Sequence, residues 1–152
     1  MTRYGAAGLL LLFTAACAGE GDRFITLEVG AAGGAAAAIV VEVADTPAAL
    51  DKGLSGRDSL PSNQGMLFVI TQRGPGFWNK DVSFPLSVAF VSRCGVIVDI
   101  QDMAAHSQHF HDTPHDFRFG LEANLGWFER HGVGVGNRLR LPEALTGSGC
   151  AG

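Results

Sequence analysis

The sequence predicts a small, mostly β domain of the α+β class, a curled or barrel-like sheet with two short helices over its open ends. Three observations carry this. The apolar runs are short and several alternate with polar residues. Turns rich in glycine separate them, and the chain holds 21 glycines. Long helical patterns between strands are missing, which argues against a doubly wound nucleotide fold.

The elements follow in order. Phe24 to Val29, FITLEV, alternates: Ile25, Leu27 and Val29 face one way, Phe24, Thr26 and Glu28 the other. GAAGGAAAA, Gly30 to Ala38, closes a loose hairpin to a second strand over Ile39 to Val43. Thr46 is a good N-cap and Pro47 fits the first helical position, where its missing N–H costs nothing, so a short helix is read there with Ala48, Ala49, Leu50 and Leu54. Met66 to Ile70, MLFVI, is a buried strand. Leu86 to Val91 and Val96 to Ile100 are apolar strands around the turn Ser92 to Gly95. Phe117 to Glu122 alternates again. Asn124 is taken as the cap of a second short helix running to about His131, stopped by Gly132, with His131 at its C-terminal end as a favourable charge. In that helix Trp127 and Phe128 are packing residues. Arg138 to Leu141 is the last strand. GVGVG, Gly132 to Gly136, lies after a helix and before a strand, the wrong order for cradling phosphate, and is read as a turn.

Composition narrows the function. The 152 residues suit one domain. The net charge is −4 and the only lysines are Lys52 and Lys80, so clustered cations for nucleic acid are missing and that partner is excluded. The N-terminus reads as an export signal: Arg3, then the apolar run Ala6 to Phe13, too short to span a bilayer, then Thr14, Ala15, Ala16 and Cys17. Small residues before a cysteine suit a lipoprotein signal, although Thr14 departs from the usual leucine, so ordinary cleavage stays open. Residues 1–17 are thus assigned to a signal peptide, with Cys17 the lipidated first mature residue. Residues 18–23 form a tether, 24–142 one domain, and 143–152 a flexible C-terminal tail. The expected location is the periplasm or outer cell envelope, with membrane contact only through lipid and a monomeric chain. Export permits disulfides, and with Cys17 modified, Cys94 and Cys150 are left either to pair or to stay free.

Several segments share a pattern. VEVADTPAALDKGLSGRDSLPSNQGMLFV, FWNKDVSFPLSVAFVSRCGVIVDI and LEANLGWFERHGVGVGNRLRL, within roughly Ile39 to Leu141, resemble the domain of unknown function 192 family. The resemblance implies a compact β fold, frequent export and no established reaction. It matches the family's recurring residues at Arg57, Trp78, Lys80 and Glu122, and departs from them at Asn79 and Asp81, where the family usually has methionine and asparagine. The histidine-rich segment falls in a variable loop of the family, which lends it no function.

Two candidate sites emerge. Arg57, Trp78, Lys80, Asp81 and Glu122 set charges beside large apolar residues in a charge-poor chain. Such charges need partners, and ion pairs of Arg57 with Glu122 or Asp81 would serve the fold alone. As a ligand-binding set, Arg57 and Lys80 would hold a small anionic ligand, and Trp78 would wall it or stack on a sugar-like ring. The second site is the loop Ala104 to Gly120, with His106, His109, His111 and His115 beside Asp112 and Asp116. His109 and His111 share one side of an extended chain, and with His115 they suit zinc or copper. The competing readings are a polar exposed loop around Thr113-Pro114, or a pH sensor. A hydrolase-like enzyme using Lys80 and Glu122 is a third function, held back because no nucleophile or metalloenzyme motif accompanies them. The leading expectation is a binding module of the cell envelope for a small anionic or sugar-like ligand. A metal-binding envelope protein is the alternative.

Overall fold

The computed structural model describes residues 23–74 and 76–150; the signal segment, Cys17 and most of the tether lie outside the described residues. Seven strands form in chain order: β1 Phe24–Gly30, β2 Ala36–Ala44, β3 Gln64–Val69, β4 Leu86–Val91, β5 Ile97–Met103, β6 Phe119–Asn124 and β7 Leu139–Arg140. Three short helices accompany them: α1 Pro47–Lys52, α2 Trp127–Arg130 and α3 Glu143–Thr146. All strands join one sheet in the order β5-β4-β6-β3-β2-β1-β7. Every neighbouring pair is antiparallel except β2 and β3, whose crossover carries α1. The sheet curls into a half-barrel. At one end its two edges meet: Val96 bridges Arg138, Leu139 N–H donates to the Gly95 carbonyl at 2.7 Å, and Ile97 N–H donates to the Asn137 carbonyl at 2.9 Å. That partial closure shields edge groups that would otherwise invite pairing with another chain.

The mostly β, curled sheet is the predicted one, with one helix more than expected. Local readings differ in several places: β3 starts at Gln64 and ends at Val69, and β6 runs two residues later than read. β2 begins at Ala36, because the alanines alternate between buried and exposed positions without showing an apolar pattern. β5 continues through Gln101 and Asp102 to Met103. Asn124 does not cap α2. It ends β6, and its Nδ2 donates to the Leu60 and Pro61 carbonyls, each at 3.0 Å. The turn into α2 needs a left-handed residue, supplied by Gly126 at φ 72°, whose N–H donates to Ser87 Oγ. The segment 143–152, read as a flexible tail, contains α3, and Cys150 is bonded to Cys94 with a Cα separation of 5.2 Å.

Alternation divides the buried residues into two clusters. One holds Leu27, Val29, Ile39, Val41, Leu67, Val91, Leu121 and the α2 pair Trp127 and Phe128. His131 stacks on Trp127 with ring centroids 4.3 Å apart, and its Nδ1 donates to the Trp127 carbonyl, so it closes α2 as expected. The other holds Met66, Phe68, Leu86, Val88 and Phe90 from the sheet, covered by Leu54, Leu60, Phe77 and Val82 from the connecting segments. Burying each large side chain contributes about 2–3 kcal/mol. Gly120 lets the cover approach. It faces the second cluster, and any Cβ there would overlap the Phe77 ring. Gly120→Ala is therefore expected to lower unfolding stability by about 2–3 kcal/mol, read from a urea midpoint, since the ring must leave its place.

A buried carboxyl in an aromatic cavity

The cavity lies between the second face of the sheet and its cover. Local sequence explains how it is held open. Thr46 Oγ1 accepts from Ala49 N–H at 3.2 Å and Pro47 starts α1, so the helix begins where predicted and turns Leu50, Asp51 and Lys52 toward the cavity. Gly53, at φ 47°, ends it. On the sheet side Phe68 lines the space. On the loop side Phe77 is clamped to the histidine-rich segment by paired backbone bonds with His111, at 2.8 and 2.7 Å. Phe77 also packs edge-on against Phe68 and Phe90, with centroids 5.3 and 5.6 Å apart. Phe117 completes this aromatic group. The resulting cavity measures about 240 Å³, with Phe68, Phe77, Trp78 and Phe117 among its walls.

Glu122 also lines it. In β6 the alternate residues Phe119, Leu121 and Ala123 enter the first cluster, so Glu122 must face the second, opposite Met66 and Val88. It is only 4% exposed. Among the described residues no side chain or backbone group hydrogen-bonds or ion-pairs with its carboxyl. Burial in this apolar setting disfavours the charged form and pushes its pKa from the ordinary 4.5 up to about 8.

The other residues of the expected ligand set are placed elsewhere. Arg57 pairs with Glu42, and with neither Glu122 nor Asp81; the neighbouring Gly56 N–H donates to the Asp81 carbonyl. Lys80 sits over the Trp78 ring, Nζ 5.2 Å from its centroid. Neither Arg57, Lys80 nor Asp81 lines the cavity. Trp78 does. It is 45% exposed and stacks on Phe110, itself 41% exposed, at 4.8 Å and 11°. The structure therefore brings together Trp78 and Glu122 from that set. Sequence reasoning had missed Phe68, Phe77 and Phe117. One available signal was Gly120, a strand-interior glycine of the kind that marks close approach by another group.

Asn79 supports this edge. It is buried, and its Nδ2 donates to the Phe84 and Ala104 carbonyls at 2.9 and 3.0 Å, fixing the segment that carries Trp78.

In the histidine loop, His109 and His111 stand edge to face with centroids 4.9 Å apart. Nδ1 of His111 donates to Gln101 Oε1 at 3.1 Å, leaving Nε2 with the free lone pair of the neutral ring. Burial and the neighbouring His109 lower its pKa. Asp112 is engaged by Arg73. His106 and His115 are exposed. Among the described residues no three of His, Cys, Asp and Glu converge as a metal ligand set. Also among them, no helix is long and apolar enough to cross a membrane.

The comparisons with known proteins agree with this architecture. Residues 28–141 match the DUF192 family, described as "Uncharacterized ACR", and the chain belongs to that family. A search of curated proteins returns no match. Two solved structures are similar. One, from Sinorhizobium meliloti and described as a "putative transcription regulator", is 29% identical with a TM-score of 0.74, over 78% of this chain and 94% of that one. The other, a protein of unknown function from Novosphingobium aromaticivorans, is 22% identical with a TM-score of 0.73, over 93% of this chain and 99% of its own, and shows the shared fold.

Proposed function

We propose that this protein is a small-molecule binding module of the cell envelope and that the aromatic cavity containing Glu122 is its site. The observation that carries the reading is the lone carboxyl: an unpartnered ionisable group is costly in a core, and a ligand that meets it would offset that cost. A lining of mainly aromatic and aliphatic side chains with a few polar groups, here Asp51, Lys52, Ser55, Gln72 and Glu122, is the ordinary composition of a ligand pocket. The anionic ligand considered from sequence fits less well, because Arg57 is already paired and Lys80 lies outside the lining. A ring-sized ligand with an apolar body and one hydrogen-bonding group fits the volume better. The enzyme reading named Lys80 as the partner of Glu122, and Lys80 does not line the cavity. Nucleic acid is left out as a partner because the chain is acidic.

Trp78→Ala separates binding from folding. Trp78 is half-exposed, so its removal is expected to lower stability by only about 1 kcal/mol while weakening small aromatic ligands about tenfold. Chemical-shift titration of the labelled protein with such ligands reads the second effect, and thermal unfolding reads the first. Ligands that leave the signals of Ile70, Phe77 and Glu122 unmoved would contradict the site.

Export by the N-terminal signal and lipid attachment at Cys17 are part of the same proposal. The Cys94–Cys150 bond supports it, because such bonds persist in oxidising compartments. Cys17→Ser is expected to move the expressed protein from the membrane fraction to the soluble fraction, with loss of the acyl mass by mass spectrometry. An unchanged distribution would contradict lipidation.

A further inference from the structure

We propose that the cavity selects an organic cation, an amine or ammonium carried on a compact apolar body, with its charged end on Glu122 and its body among the rings. The inference rests on the reading of this cavity as the ligand site. Three features point to it.

The Glu122 carboxyl has no donor among the described residues, and its oxygens are acceptors when ionised. An ammonium supplies up to three N–H donors and the opposite charge, which a neutral ligand does not. The walls are the second feature. Phe68, Phe77, Trp78 and Phe117 line the space, and the negative faces of aromatic rings attract cations. Two of these rings already receive a cation from the protein: Lys80 Nζ lies 5.2 Å from the Trp78 centroid, and Arg73 Cζ lies 5.4 Å from that of Phe117. The third feature is the charge of the lining. Its ionisable groups are Glu122 from β6 with Asp51 and Lys52 from α1; β3 and β4 contribute the apolar Met66 and Val88 opposite Glu122. Asp51 and Lys52 carry opposite formal charges, so the formal charge of the lining follows Glu122. An anion would have only the Glu122 O–H to hold it, and that donor is lost, with repulsion in its place, once the carboxyl ionises.

The volume of about 240 Å³ admits one ring with a short arm. Binding also moves a proton. With burial raising its pKa to about 8, Glu122 is mostly protonated in the free protein at pH 7, and that proton passes to solvent when an ammonium pairs with the carboxylate. The ion pair forms, the carboxyl O–H bond breaks, and nothing is oxidised or reduced.

Benzylamine, benzyl alcohol and benzoate test this directly, being close in size and different in charge. Each is titrated into the full chain at pH 7 and followed by chemical shifts of the cavity residues. Calorimetry in two buffers of different ionisation enthalpy counts protons. The expected result is benzylamine binding at least about tenfold tighter than benzyl alcohol, with benzoate weakest. Close to one proton is released per benzylamine, and Glu122→Gln removes the preference for the amine. Benzyl alcohol or benzoate binding in the cavity as tightly as benzylamine would overturn the cation assignment and leave the cavity as the site. Shifts from none of the three would overturn both readings.

Discussion

Raising the pH from 4.5 to 8 is expected to destabilise this protein by several kcal/mol, and replacing Glu122 with glutamine is expected to abolish that loss. Below pH 4.5 the Glu122 carboxyl is protonated in both the folded and the unfolded chain, so the stability it permits is fully present. Between 4.5 and about 8 the unfolded chain releases the proton while the folded chain retains it. Stability then falls by about 1.4 kcal/mol per pH unit, because the unfolded state binds fewer protons. Above about 8 both states are ionised and the fall levels off, near 5 kcal/mol in all as an order of magnitude. Glu122→Gln keeps the size and removes the charge. Denaturant midpoints across this range are expected to converge with the wild type near pH 4 and to exceed it at pH 8. Parallel curves for the two proteins would show that Glu122 ionises without penalty and that the cavity is wetter than its lining suggests.

The second large effect concerns the C-terminal end. Cys94 in the β4–β5 turn and Cys150 beyond α3 are 56 residues apart in sequence. Closing a loop of that length restricts the unfolded chain, with an expected stabilisation of about 4 kcal/mol. The bond also holds the segment beside the place where the sheet edges meet, next to Arg138, whose Nη1 donates to the Cys94 carbonyl at 2.9 Å. Reduction, or the paired substitution Cys94→Ala with Cys150→Ala, is expected to shift the guanidinium midpoint by that amount. A shift below about 1 kcal/mol would mean that the closed loop restricts the unfolded chain little.

Much of the fold was legible because burial imposes alternation. Ile25, Leu27 and Val29 marked β1, and Thr46-Pro47 marked the start of α1. What the sequence hid had physical causes. Alanines carry too little apolar contrast to show the first residues of β2. Asn124 has the chemistry of a helix cap, but its amide serves two carbonyls across a turn. The meeting of β5 with β7 depends on the accumulated curl of the sheet, which no local window contains. The site was legible in part. Glu122 stood out as a charge in an apolar strand, and Trp78 as a large ring in a loop. Arg57 and Lys80 share with them the family's recurring pattern and a place beside large apolar residues, which says nothing of their partners. Their actual partners, Glu42 and the Trp78 ring, follow from the register of β2 and the path of the 77–85 segment. Phe68, Phe77 and Phe117 read as ordinary core, since an apolar residue lining a cavity looks like one filling it.

The most direct measurement is the ionisation of Glu122 itself. Carbon-detected NMR of the side-chain carboxyl, followed through a pH titration with and without benzylamine, reports it in the intact chain. A midpoint near 8 is expected for the free protein, raised by burial, with a fall of at least about one unit when the amine is bound. A midpoint near 4.5 that benzylamine leaves in place would contradict it, because the carboxyl would then be neither desolvated by the cavity nor in contact with what enters it.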